Sequence, residues 1–89
     1  MGPTTARTDT ELLQAALGGD SEALGALVER HFGLVYTVAL ARLRSPESAE
    51  DLAQEVMLRA HLHLGRLGPN GNFPAWVARI ARNLAIDWL

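Results

Sequence analysis

Near the end of the chain, "GNFPAWVARIARNLAIDWL" (71–89) sets both tryptophans of the protein among arginines and a single helix-borne asparagine. Trp76, Arg79 and Asn83 are spaced i, i+3 and i+7, so a helix would line them along one flank. An aromatic or guanidinium plane can stack on an exposed base, and an amide both donates to and accepts from its edge. Arg82 points away from the apolar side of the same helix. The plainer reading is that Trp76 closes a bundle edge and the arginines are solvated. A second group lies in "AEDLAQEVMLRAH" (49–61), where Asp51, Gln54, Glu55 and Leu58 share a face with Leu62 beyond them. Helical periodicity sets that face opposite the apolar stripe Leu52, Val56, Ala60, Leu64 and Leu67, flanked by Ala53, Met57 and His63. Two leucines four apart beside acids and an amide suit a partner surface, such as one for a basic or amphipathic helix. They suit an ordinary solvated face equally well.

Other chemistry is poorly supported. His61 and His63 are two apart, so on a helix they diverge and share no metal. His31 falls in an apolar stripe and reads as a satisfied core or boundary residue. There is no Gly-rich phosphate loop, nucleophile elbow or HExxH. Glu47, Glu50, Asp51 and Glu55 cluster near one helix N-terminus, where the macrodipole favours acids, and need no catalytic role. The chain has no cysteine, hence no disulfide framework and no thiolate metal site. No cofactor, no metal and no enzymatic activity are expected.

The positioning elements must come from 89 residues, enough for one small domain. Hydrophobic residues at 48% and charged residues at 20% are a globular balance. The net charge of −2 argues against a bulk duplex-DNA binder, although the distribution of charge matters more than its sum. All eight Lys+Arg residues are arginine, which with the many alanines suggests a GC-rich genome. No apolar run approaches a membrane span, and "MGPTTARTDT" is neither a signal peptide nor a myristoylation site, since Ala6 stands where Ser or Thr is needed. A cytoplasmic protein without a membrane association is the expectation.

Residues 1–9 read as a disordered polar lead. Asp9 or Thr10 then caps a short helix that stops at Gly18-Gly19. Asp20 caps a long second helix to about Arg44, with Leu24, Leu27, Val28, Leu34, Val35, Val38 and Ala39 as its stripe. Phe32, Tyr36, Leu40 and Leu43 make a second apolar flank, so this helix belongs at the centre of the fold. Ser45-Pro46 starts a third helix running to about Leu67. "GPNGN" (68–72) is a turn, and Asn72 can cap a fourth helix with Pro74 in its first turn. On that helix Phe73, Val77, Ile80, Leu84 and Trp88 form the core side. Ile86 and Leu89 fall on the polar side and the sequence stops without a C-cap, so a continuation is expected. The fold class is all-α: a small bundle of three long helices plus a short N-terminal helix, one domain over 10–89.

Taken together, "AEDLAQEVMLRAH" and "NFPAWVARIARNLAIDWL", in this order across a short Gly/Asn/Pro loop, resemble region 2 of the extracytoplasmic-function (ECF) sigma factors of bacterial RNA polymerase. The resemblance covers essentially the whole chain after residue 9. It implies that Asp51, Gln54, Glu55 and Leu58, with Arg59 and Leu62, dock on the clamp helices of the β′ subunit of the polymerase core. It implies a DNA-reading surface at Asn70, Asn72, Phe73, Trp76, Arg79, Arg82 and Asn83, acting on the non-template strand of the −10 promoter element. Asn83 would lie by the pocket for a flipped base, the 68–72 loop would wall it, and Trp76 would stand where primary sigma factors carry a duplex-opening aromatic. An anti-sigma factor can hold such a protein, and nothing in the chain identifies one.

The chain departs from primary sigma factors one turn further along, where paired aromatics are replaced by Arg79 and Ile80. Fewer aromatic wedges would accompany stringent promoter choice. Reading one extruded base does not demand a strongly basic domain, because the unstacking cost is about a few kcal/mol and the core holds other DNA. The alternative is a helical protein-interaction module that uses the Asp51/Gln54/Glu55/Leu58 face and has no nucleic-acid role.

Overall fold

The computed structural model describes residues 7–88, arranged as four helices: α1 (Asp9–Leu17), α2 (Ser21–Leu43), α3 (Pro46–Leu67) and α4 (Phe73–Trp88). Among the described residues there is no strand. Helix α2 packs against all three others, and α3 also packs on α4.

Local chemistry sets each boundary. The N-cap of α1 is Thr8, one residue before the expected Asp9 or Thr10. Thr8 Oγ1 accepts from Glu11 N at 3.1 Å, and Glu11 Oε1 accepts from Thr8 N at 2.8 Å, closing a capping box. Asp9 therefore belongs to the helix and not to the polar lead; residues 1–6 lie outside the described residues. Asp20 caps α2 by accepting from Glu22 N and Ala23 N. Arg44 ends that helix in the left-handed region (φ 61°, ψ 17°). Pro46 then holds Ser45 extended, which is the geometry an N-cap needs, and Ser45 Oγ accepts from Ser48 N. Gly68, at φ 80°, takes the chain out of α3.

One core joins the helices: Leu12 and Leu13 of α1, Leu27, Val35 and Ala39 of α2, Leu52, Val56 and Ala60 of α3, and Phe73, Val77 and Ala81 of α4. Each large side chain buried here contributes roughly 1.5–3 kcal/mol. The α3 stripe falls where the periodicity puts it. Backbone dihedrals leave the helical region once, at His63 (φ −118°, ψ 20°), a break the pattern did not anticipate.

Three expectations need correction. Leu34, assigned to the α2 stripe, is 43% exposed. Asp9, at the start of α1, pairs with Arg30 Nη1 at 2.9 Å and His31 Nε2 at 2.7 Å. Helix α1 thus reaches only that turn of α2, and Leu34 lies beyond it. Trp88, assigned to the core, is also 43% exposed. The buried side of α4 is turned by roughly 60° toward alanine: Ala78, Ala81 and Ala85 are buried, while Ile80 and Leu84 are only half-buried. Finally, α2 does meet the length and composition of a membrane span, with a mean hydropathy of 1.2 over its most apolar window. The central helix of a bundle meets the same test, and α2 is covered on its apolar side by three neighbours.

Candidate functional site

Two surfaces stand clear of the core. The first is the outer side of α3. Its buried stripe holds Leu52, Val56 and Ala60 inward, so Asp51, Gln54, Leu58, Arg59 and Leu62 are exposed and Glu55 is half-buried. Leu58 is 54% and Leu62 65% exposed, the most exposed pair of leucines four apart on any described helix. Arg59 Nε donates to Glu55 Oε2 at 3.0 Å, an i, i+4 pair worth about 0.3–0.5 kcal/mol. That pair half-neutralises the face. Asp51 and Gln54 make no side-chain hydrogen bond among the described residues, so both are available to a partner.

The second surface is at the α3–α4 junction. Asn72 Oδ1 accepts from Ala75 N at 3.0 Å, and Asn72 O accepts from Trp76 N at 3.0 Å, so Asn72 caps α4 as its sequence position suggests. About one, two and three turns on, Trp76, Arg79 and Arg82 follow along the helix. With Leu67 from the end of α3 and Ala75, they enclose an open pocket of about 340 Å³. Trp76 is half-buried, its ring edge-on to Phe73 with centroids 6.2 Å apart. Phe73 in turn lies 5.8 Å from the His31 ring, which Asp9 holds in place. The aromatic wall is thus anchored through Phe73 to α2 and α1. Neither Arg79 nor Arg82 enters an ion pair among the described residues, so both guanidinium groups are free to meet an acceptor.

The expected DNA-reading residues do not all converge. Asn72, Trp76, Arg79 and Arg82 share the pocket. Asn83 is exposed and outside its lining, although it follows Arg82 directly and lies on the same flank as Trp76. Asn70 lines a second pocket of about 350 Å³ on the other side of the loop, with Asp9, Thr10, Gly71, Asn72, Phe73 and Pro74. Phe73 is 1% exposed, so its side chain is a support and not a contact. The sequence pattern did not single out Leu67 and Ala75 as pocket wall. The signal for Ala75 was its i, i+4 relation to Arg79; for Leu67 there was none.

Gly71 fixes the loop against that wall. A Cβ there would collide with the Leu67 side chain and lie 2.8 Å from the Leu67 carbonyl oxygen. The carbonyl belongs to the backbone and cannot swing aside. Gly71→Ala is therefore expected to cost about 1–3 kcal/mol in urea unfolding and to displace Leu67 from the pocket. An unchanged midpoint would show that the loop adjusts freely.

Comparison with known proteins gives the family. The chain matches the family described as Sigma-70 region 2 over residues 27–89. It is 40% identical over 77 residues to a probable RNA polymerase sigma factor, RfaY, of Xanthomonas campestris pv. campestris, across 86% of this chain and 19% of that protein. It is 37% identical over 78 residues to the ECF RNA polymerase sigma factor BldN of Streptomyces coelicolor, across 86% of this chain and 30% of that protein. With the ECF RNA polymerase sigma factor SigM of Mycobacterium tuberculosis it shares 35% identity over 83 residues, across 93% of this chain and 42% of that protein. The chain thus spans less than half the length of these relatives. No solved structure matches it. With the family match covering α2 from its second turn through α4, the chain belongs to the Sigma-70 region 2 family.

Proposed function

We propose that this domain directs bacterial RNA polymerase to promoters by using its two surfaces for different partners. The outer face of α3 docks on the β′ clamp helices of the core through Asp51, Gln54, Glu55 and Leu58, with Arg59 and Leu62 at its margin. The α3–α4 junction reads the −10 element as single-stranded non-template DNA, taking one flipped base. It acts in the cytoplasm, where the polymerase is, and it performs no reaction of its own.

The observation that carries this reading is the pocket that joins Trp76 to Arg79, Arg82 and Asn72. A half-buried indole beside two guanidinium groups that make no ion pair among the described residues is what an unstacked base and its flanking phosphates require. Asn83 and Asn70 remain within reach of neighbouring nucleotides as contacts outside the pocket. Flipping costs about a few kcal/mol, which stacking at roughly 1–3 kcal/mol per base and edge hydrogen bonds can offset.

Trp76 supplies the test. Because Trp88 is also exposed, Trp88→Phe is needed to leave Trp76 as the sole reporter. Titration with a single-stranded oligonucleotide is expected to quench its fluorescence, and the apparent affinity should fall as salt rises. No quenching at low salt would remove the DNA-reading half of the proposal and leave a protein-docking module.

A further inference from the structure

The family match begins at residue 27 and leaves out α1. Yet the first residue of α1 is tied to α2 through both of its carboxylate oxygens. Asp9 Oδ1 accepts from Arg30 Nη1 at 2.9 Å, and Asp9 Oδ2 accepts from His31 Nε2 at 2.7 Å. A carboxylate only accepts, so this contact selects the His31 tautomer with its proton on Nε2 and orients the ring. The His31 side chain is 16% exposed, and its ring meets Phe73 at 45° with centroids 5.8 Å apart. Phe73 in turn backs Trp76. The same first turn of α1 also reaches the loop before α4. Asp9 and Thr10 line a pocket with Asn70, Gly71 and Asn72, and Asn72 lines the α4 pocket as well.

Stability alone does not account for this arrangement. Asp9 and Arg30 are 33% and 34% exposed, and ion pairs open to solvent to that degree contribute little. Geometry gives the pair another use. Without Asp9, nothing holds the His31 ring at its present angle. Interiors are close-packed, so a ring that turns on one side of Phe73 opens space into which Phe73 can tilt. Trp76 lies against the edge of Phe73, and its indole would gain freedom in turn. We propose that Asp9 and His31 are positioning residues of the DNA-reading surface. Helix α1 latches the His31 ring against Phe73 and so holds the Trp76 plane in place before DNA arrives. A plane held in advance spares the cost of ordering it on binding. The inference rests on the reading of Trp76 as a stacking surface, and it makes α1 part of that site.

The test uses the 89-residue chain with Trp88→Phe, so that Trp76 alone fluoresces. Asp9→Ala removes both hydrogen bonds. Asp9→Asn removes the charge but can keep both bonds, its oxygen accepting from Arg30 and its NH2 donating to the other His31 tautomer. Asp9→Ala is expected to enlarge the fast indole motion in time-resolved anisotropy. It should also weaken binding to a single-stranded oligonucleotide about three- to tenfold, the order of one side chain's ordering cost, with little change in the urea midpoint. Asp9→Asn should restore both. Loss of a negative charge by itself would instead tighten binding to a polyanion in both variants. Unaltered indole motion and affinity in Asp9→Ala would overturn the positioning role. Equal loosening in the alanine and asparagine variants would overturn it too, because the charge at the start of α1 would then matter and not the hold on the ring. So would a large fall in the midpoint of both, which would make the effect one of α1 stability. If Asp9→Ala frees the indole but the parent chain binds no single strand, the DNA reading is what fails, and the positioning role goes with it.

Discussion

Phe73→Ala is expected to destabilise the domain by about 3–5 kcal/mol in urea or thermal unfolding. The ring is 1% exposed and holds an edge contact to Trp76 and, from α2, a tilted contact to His31. Each aromatic pair adds about 0.5–1.5 kcal/mol beyond burial. At roughly 0.05–0.15 kcal/mol per residue, a domain of this length holds about 4–13 kcal/mol in all, so this one change removes a large part of it. The loss should also loosen Trp76, because Phe73 is what backs the indole. Phe73→Leu refills most of the volume and is expected to cost less than half as much. A loss below about 1 kcal/mol for the alanine variant would mean that the first turn of α4 is not seated as described.

The second large effect separates function from fold. Leu58→Ser with Leu62→Ser changes two side chains that are more than half exposed, so stability should move by no more than about 0.5 kcal/mol per site. Under the proposed docking, Leu58 lies in a desolvated contact with the clamp helices and Leu62 at its margin. Affinity for a β′ clamp-helix fragment should then fall at least tenfold, or about 1.4 kcal/mol. Gln54→Ala with Glu55→Ala should weaken the same contact, although Glu55 already spends one oxygen on Arg59. Full affinity in the double serine variant would exclude this face as the docking surface. Weakened binding together with a lowered unfolding midpoint would point to damage to α3 and not to a lost contact.

Helical periodicity and capping residues carried most of the architecture. The Asp20 and Ser45-Pro46 starts, the Gly68 exit and the Asn72 cap all follow from local backbone chemistry, which acts over three or four residues. The exposed face of α3 was legible for the same reason. On a helix with one continuous apolar stripe, the opposite side is exposed wherever its neighbours lie, and α3 has such a stripe. Trp88 shows the limit. Its angle on the helix matches Val77 and Leu84, but angle says nothing about whether a neighbour covers that height, and Trp88 stays 43% exposed.

The sequence by itself therefore determined four helices, their order, the exposed α3 face and the family signature across the loop. Only the tertiary structure decided the rotation of α4, because close approach favours Ala78, Ala81 and Ala85 at the interface over the larger Ile80 and Leu84. That rotation replaces the flank Trp76, Arg79, Asn83 by a pocket built on Trp76, Arg79 and Arg82. It also took the contact of two segments, the end of α3 and the start of α4, to make the wall at Leu67. Spacing along one helix fixes which residues share a face. The donors that meet in a pocket depend on how two helices pack.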